Sequence, residues 1–107
     1  MGFYRVTSFV QYSQLKKHHS VVVFFCNSSV LSHKIEDFLK KWAFENPGSD
    51  INLLVVNVHL FHDVKDVKTV TSVPTTRSYK KGIIIGEYIG SSEPSIINLI
   101  KANLNIK

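Results

Sequence analysis

The stretch Val21-Val22-Val23-Phe24-Phe25-Cys26 runs without a charge, a proline or a glycine. With no polar position in it, a strand built from these residues has no face to offer water. It must be covered on both sides, as in the parallel part of an α/β sheet. Ile51 to Val58 repeats the character, interrupted only by Asn52 and Asn57. Neither run approaches the ~20 apolar residues that a membrane span requires. At 107 residues and 44% hydrophobic, the chain is long enough for one such sheet and its helices, and 1–107 reads as a single domain.

Punctuation around the two runs supplies the other elements. Phe3 to Val6 suits a short strand. Thr7 or Ser8 can cap a helix with Phe9, Tyr12 and Leu15 as its apolar positions. Ser28, Ser29 and Ser32 offer caps for a second helix. Its Leu31, Ile35, Phe38, Leu39 and Trp42 step by three and four, so one stripe faces a core and Trp42 is expected to be buried against the sheet. Asn46-Pro47-Gly48 stops that helix. His62 to Thr69 has room for one or two helical turns. Thr75 to Tyr79 and Ile83 to Tyr88 form a hairpin around Lys80-Lys81-Gly82. A last helix, capped by Ser91 or Ser92 with Pro94 in its first turn, turns Ile96, Ile97, Leu99, Ile100 and Leu104 inward. The order is βαβαβαββα: two crossings give parallel strands and the hairpin adds antiparallel ones.

Thirteen Lys and Arg against eight Asp and Glu leave a net charge of +5. The basic residues come in scattered pairs, Lys16-Lys17, Lys40-Lys41 and Lys80-Lys81, rather than in a stripe interleaved with aromatics. A solvated basic surface is expected, and a nucleic-acid partner is not. One cysteine, Cys26, excludes an internal disulfide and suits a reducing compartment. The opening Met1 to Val6 lacks the apolar core of a secretion signal, and Val6 breaks the myristoylation pattern. A cytoplasmic location away from membranes is the expectation.

Val21 to Phe25, Leu54-Val55-Val56-Asn57-Val58, Ser72-Val73-Pro74-Thr75, Tyr79-Lys80-Lys81-Gly82 and Gly90 follow one another at a telling spacing. Laid on without a gap from Val21 to Gly90, they resemble the thioredoxin family. The resemblance implies the thioredoxin fold, a mixed central sheet with helices on both faces, and a cis-proline at Pro74. It also places Val30-Leu31-Ser32-His33 where the family carries Cys-Gly-Pro-Cys. Ser29 stands for the tryptophan before that motif, Phe24 for the buried proton-handling aspartate, and Cys26 for the other tryptophan. Disulfide exchange needs one thiolate to attack and a second thiol to resolve the mixed disulfide. Neither Val30 nor His33 can do either, so dithiol oxidoreductase activity is not expected.

Several sites remain open. Cys26-Asn27-Ser28-Ser29 is a C-x-x-S string like the monothiol motif of some relatives, which would act through mixed disulfides with glutathione or protein thiols; against it, a free cysteine ending an apolar strand is usually just buried. Cys26, His33 and His59 share one side of the expected fold and offer a weak metal or thiolate–imidazolium alternative, with His62 and Asp63 as added ligands. His18-His19 reads as a solvated loop pair. The helix start from Ser29 to His33 offers amides to an anion, with Ser32 and Lys34 assisting. Arg77 and Ser78 are odd in a strand that the family fills with aliphatics. The leading expectation is a peptide- or protein-binding module without a cofactor. It would use the groove that the resemblance puts at Val30, Leu31, Ser32, His33, Val73, Pro74 and Thr75. In the family, the backbone before the cis-proline pairs with an extended peptide.

Overall fold

Residues 2–106 are described by the computed structural model. Their elements run β1 (Gly2–Arg5), α1 (Phe9–Lys16), β2 (Ser20–Cys26), α2 (Val30–Glu45), β3 (Asn52–Asn57), α3 (Lys65–Lys68), β4 (Thr75–Lys80), β5 (Ile83–Ile89) and α4 (Glu93–Asn105), the order expected from sequence. One five-stranded sheet is laid out β1-β3-β2-β4-β5. β3 pairs in parallel with β1 and β2, while β4 pairs antiparallel with β2 and β5.

β2 is the spine. All seven of its residues are buried, because β3 and β4 flank it and helices close both faces. Val22, Phe24 and Cys26 point to one side and pack with Ile35 and Leu39 of α2 and Ile96 and Ile100 of α4. Val21, Val23 and Phe25 point to the other and pack with Tyr12 of α1 and Val67 of α3. The run that forbids a polar face is thus the layer between two cores.

Local chemistry fixes the ends of the elements. Ser8, Ser29 and Ser92 each cap a helix by accepting a first-turn amide, from Gln11, Ser32 and Ser95. Satisfying an amide that has no partner inside its helix is worth about 1 kcal/mol. Between β4 and β5 a two-residue turn puts Lys81 at φ 52° and Gly82 at φ 81°, the doubly left-handed geometry that matches strand twist. Among the described residues, no helix is long and apolar enough to cross a membrane.

Some expectations change. Trp42 is half-buried rather than buried: it lies against the edge of the α2/α4 core while Ile35, Leu39 and Ala43 take the centre of the stripe. Phe9 is exposed, so Tyr12 and Leu15 alone anchor α1. Leu31 is 45% exposed and does not open the inward stripe; Ser32 does, at 2%. Arg77 and Ser78, odd for a family strand, are both buried. Arg77 donates to Glu87 Oε2 at 2.6 Å, Thr69 Oγ1 at 2.6 Å, Thr69 O at 2.9 Å and Asp66 O at 3.1 Å, pinning α3 to β4. Ser78 accepts at 2.7 Å from the amide of Asn103, a fully buried α4 residue that also donates to Tyr79 O at 2.9 Å.

Candidate functional site

The register of β2 and β4 sets the geometry of the site. Phe25 lies opposite Thr75, so the Val73–Pro74 segment follows at the end of β2. There the chain leaves Cys26 and, after a short loop, enters α2 at Val30. One end of one strand therefore carries both the start of α2 and the proline loop. The Val73–Pro74 peptide bond is cis, and Gly90 N donates to Pro74 O at 3.0 Å, tying the loop to the end of β5. Val73 N and O enter no backbone hydrogen bond among the described residues.

The seven groove residues divide into surface and support. Val30 is 87% exposed and Leu31 45%; His33 is exposed, and Val73 and Pro74 are half-buried. Ser32 and Thr75 are buried and present nothing to a partner. Thr75 Oγ1 donates to Ser72 O, holding the proline loop. Ser32 sits in a polar knot: its hydroxyl donates to Asn27 Oδ1 at 2.9 Å, and its amide donates to Ser29 Oγ at 3.1 Å. Asn27 Oδ1 also accepts from Ser29 N at 3.0 Å. Asn57 joins the loop to β3, donating to Ser28 Oγ at 3.2 Å and accepting from His59 N at 2.9 Å. Short polar side chains here satisfy one another, leaving the two aliphatic tips outside.

The anion alternative loses half of its donors in this knot. Ser32 N is taken by Ser29 Oγ, and Ser29 N by Asn27 Oδ1. Two of the four first-turn amides of α2 are already used.

Cys26, at the end of β2, is 4% exposed. It lines a hollow of about 200 Å³ together with Arg5, Asn27, His33, Glu36 and Asn57. Burial pushes its thiol up to about 11; the Glu36 carboxylate adds to the rise and the Arg5 guanidinium opposes it. Arg5 Nε donates to Glu36 Oε2 at 2.8 Å, so the pair largely neutralises itself beside the sulfur. Sequence reasoning missed this pair, since no spacing links the end of β1 to the second turn of α2. Phe24, at the position the resemblance gives to a proton-handling aspartate, is wholly buried in the α2/α4 core.

The metal alternative at Cys26, His33 and His59 is not assembled. Cys26 and His33 share the hollow, but His59 does not line it. Among the described residues, the cluster of three or more potential ligands is instead His18, His19 and Asp50. His18-His19 is consequently not a merely solvated pair: His18 Nε2 lies 3.0 Å from Asp50 Oδ1 and His19 Nε2 3.2 Å from Asp50 Oδ2. His62 faces Asp63 at 3.5 Å, both well exposed.

No family model and no curated protein matches the chain. Solved structures do. It is similar to the thioredoxin of Plasmodium falciparum, at 22% identity over 92% of this chain and 96% of that one, with a TM-score of 0.79. Mitochondrial thioredoxin 3 of Saccharomyces cerevisiae, in its oxidised form, matches at 22% identity, 94% of each chain and TM-score 0.76. A poplar thioredoxin h matches at 16% identity, 98% of each chain and TM-score 0.84. The chain has the thioredoxin fold.

Proposed function

We propose that this thioredoxin-fold chain is a protein-binding module without dithiol chemistry, and that it takes an extended peptide across Val30, Leu31, His33, Val73 and Pro74. One observation carries the reading: two aliphatic side chains stand exposed at the start of α2, next to a proline loop whose Val73 amide and carbonyl have no backbone partner among the described residues. An extended segment that pairs with Val73 gains main-chain hydrogen bonds, and its alternate side chains reach Val30 and Leu31. Apolar area buried there contributes about 25 cal/mol per Å², from which the costs of association are subtracted.

Loss of dithiol activity follows from composition, since one cysteine cannot both attack and resolve. The monothiol alternative has no support in the surroundings of Cys26. Burial raises its thiol to about 11, away from the reactive range of about 3.5–7.5.

Panning a random linear peptide library on the immobilised chain tests the reading. Enriched peptides should bind the wild type and lose at least tenfold in affinity for Val30→Asp and for Val73→Asp, while both variants keep the wild-type melting temperature. Peptides that bind both variants as tightly as the wild type would overturn it, as would a library that yields no binder.

A further inference from the structure

We propose that His18, His19 and Asp50 form a binding site for a borderline transition-metal dication of the zinc type, at the pole of the sheet opposite the groove. His18 and His19 close the α1–β2 loop just before β2 begins, and Asp50 stands two residues before β3. These are the starts of neighbouring parallel strands, since Val21 lies opposite Asn52. The register itself brings the imidazoles to the carboxylate.

The arrangement is already shaped for a metal. The two imidazole rings stack with centroids 4.3 Å apart and planes at 29°, and the Nε2 atom of each faces Asp50. Those atoms lie 3.0 and 3.2 Å from the two oxygens of one carboxylate, and one ligand atom from each residue falls within 4.8 Å of the others. Zinc–nitrogen and zinc–oxygen bonds of about 2.0–2.1 Å put tetrahedral ligand atoms about 3.3 Å apart. The nitrogen–oxygen separations are close to a tetrahedral edge, while the set as a whole spans up to 4.8 Å, so the side chains draw together around an entering ion.

Both histidines are held from behind. In the tautomer that donates Nδ1–H to Ser20 O at 3.0 Å, His18 leaves Nε2, the atom facing Asp50, free for a metal. Such a contact to the far ring nitrogen is the usual second layer of a histidine ligand. The carbonyl of His19 accepts from Lys81 N at 2.8 Å, fixing its backbone to the β4–β5 turn. The ligands are partly open to solvent, the His18, His19 and Asp50 side chains being 26%, 49% and 65% exposed, so an ion can reach them.

The surroundings select the kind of ion. Lys80 and Lys81 line the same hollow as His19 and Asp50, and their charge opposes any cation. Lys80 Nζ is held by Ser20 Oγ at 2.7 Å and Asn103 O at 3.0 Å. A hard ion such as Mg²⁺ or Ca²⁺ depends on several oxygen ligands and would find a single carboxylate. Zn²⁺, Ni²⁺ and Cu²⁺ gain from two imidazole nitrogens what the nearby lysines take away. Three protein ligands leave a fourth position for water or another donor.

Calorimetric titration of the tag-free chain with ZnCl₂, and separately with MgCl₂, tests the site. One Zn²⁺ per chain should bind and Mg²⁺ should not, and His19→Ala and Asp50→Ala should each weaken Zn²⁺ at least tenfold. Nitrogen-15 spectra of the histidine rings should show Zn²⁺ shifting His18 and His19 while His33, His59 and His62 stay in place. Co²⁺ should give visible bands without the intense near-ultraviolet absorption of a thiolate ligand, which separates this site from Cys26. Absence of 1:1 zinc binding, undiminished affinity in both variants, or ring shifts centred on His33, His59 or His62 would each overturn the assignment.

Discussion

Replacing Arg77 by methionine keeps a long apolar stem but removes a buried cation that four acceptor contacts hold in place. Arg77 is 5% exposed. Its guanidinium bonds Glu87, the side chain and carbonyl of Thr69 and the carbonyl of Asp66, and it lies 5.4 Å from the centre of the Phe25 ring. Breaking a buried ion pair on one side costs about 3–5 kcal/mol, chiefly because the groups left behind lose their partner. Here the Glu87 side chain is 40% exposed and recovers water, which places the cost near the lower end, at about 3 kcal/mol. In a domain of this size that corresponds to roughly 12–20 °C in melting temperature. Urea unfolding followed by tryptophan fluorescence should show the midpoint falling with the slope unchanged. Two comparators isolate the cause. Glu87→Gln should cost less than about 1 kcal/mol, as exposed partners do. Arg77→Lys should restore charge but only part of the stability, since an ammonium cannot span Glu87 and Thr69 together. A cost below about 1 kcal/mol for Arg77→Met would refute the clamp. So would an equal loss in Glu87→Gln, which would put the energy in the charge pair alone.

Cys26 should resist iodoacetamide at pH 7.5 in the folded chain and react at least a hundredfold faster in denaturant, as measured by mass spectrometry; comparable rates would revive the monothiol alternative. Asp66 offers a pH test. Burial pushes its carboxyl up, but hydrogen bonds from Lys16 Nζ and Tyr12 Oη outweigh that and hold it below its ordinary value. A depressed folded value contributes stability that is complete above about pH 4 and is lost as pH falls through it. Asp66→Asn should accordingly lower the neutral-pH melting temperature and flatten the acid limb below about pH 4; an unchanged limb would locate acid sensitivity elsewhere.

The fold was legible because its strongest signals are local and periodic. Val21 to Cys26 demanded two covered faces, Asn46-Pro47-Gly48 ended α2, and Lys81-Gly82 supplied the left-handed turn. What escaped were contacts set by packing between distant segments. Arg77 looked out of place in a strand because its partners, Thr69 and Glu87, become neighbours only when α3 and β5 settle on β4. Asn103 carries the apolar rhythm of α4 into a polar residue, and its reason, Ser78 and Tyr79 O, lies on another element. Trp42 kept the helical stripe but fell at its rim, a displacement that spacing by three and four does not resolve. At the groove, the resemblance put Val30, Leu31, His33, Val73 and Pro74 in one region. It could not sort Ser32 and Thr75 into the supporting layer, because a serine or threonine is equally at home donating inward or facing water. His18, His19 and Asp50 were separable only by the β2–β3 register, which joins the two strand starts.

The wholly interior position of β2 also shapes how the chain must be made. β2 takes hydrogen bonds from β3 on one side and β4 on the other, yet β4 is synthesised about fifty residues later, several seconds at about 5–20 residues per second. Through that interval a segment of valines and phenylalanines, free of charge and proline, lies with one edge open, the kind of segment that associates with its own kind. Substitutions that delay the docking of β4 will therefore lower the yield of folded chain from the ribosome more than they lower its melting temperature. For this molecule, the order of synthesis sets a hazard that the finished structure no longer displays.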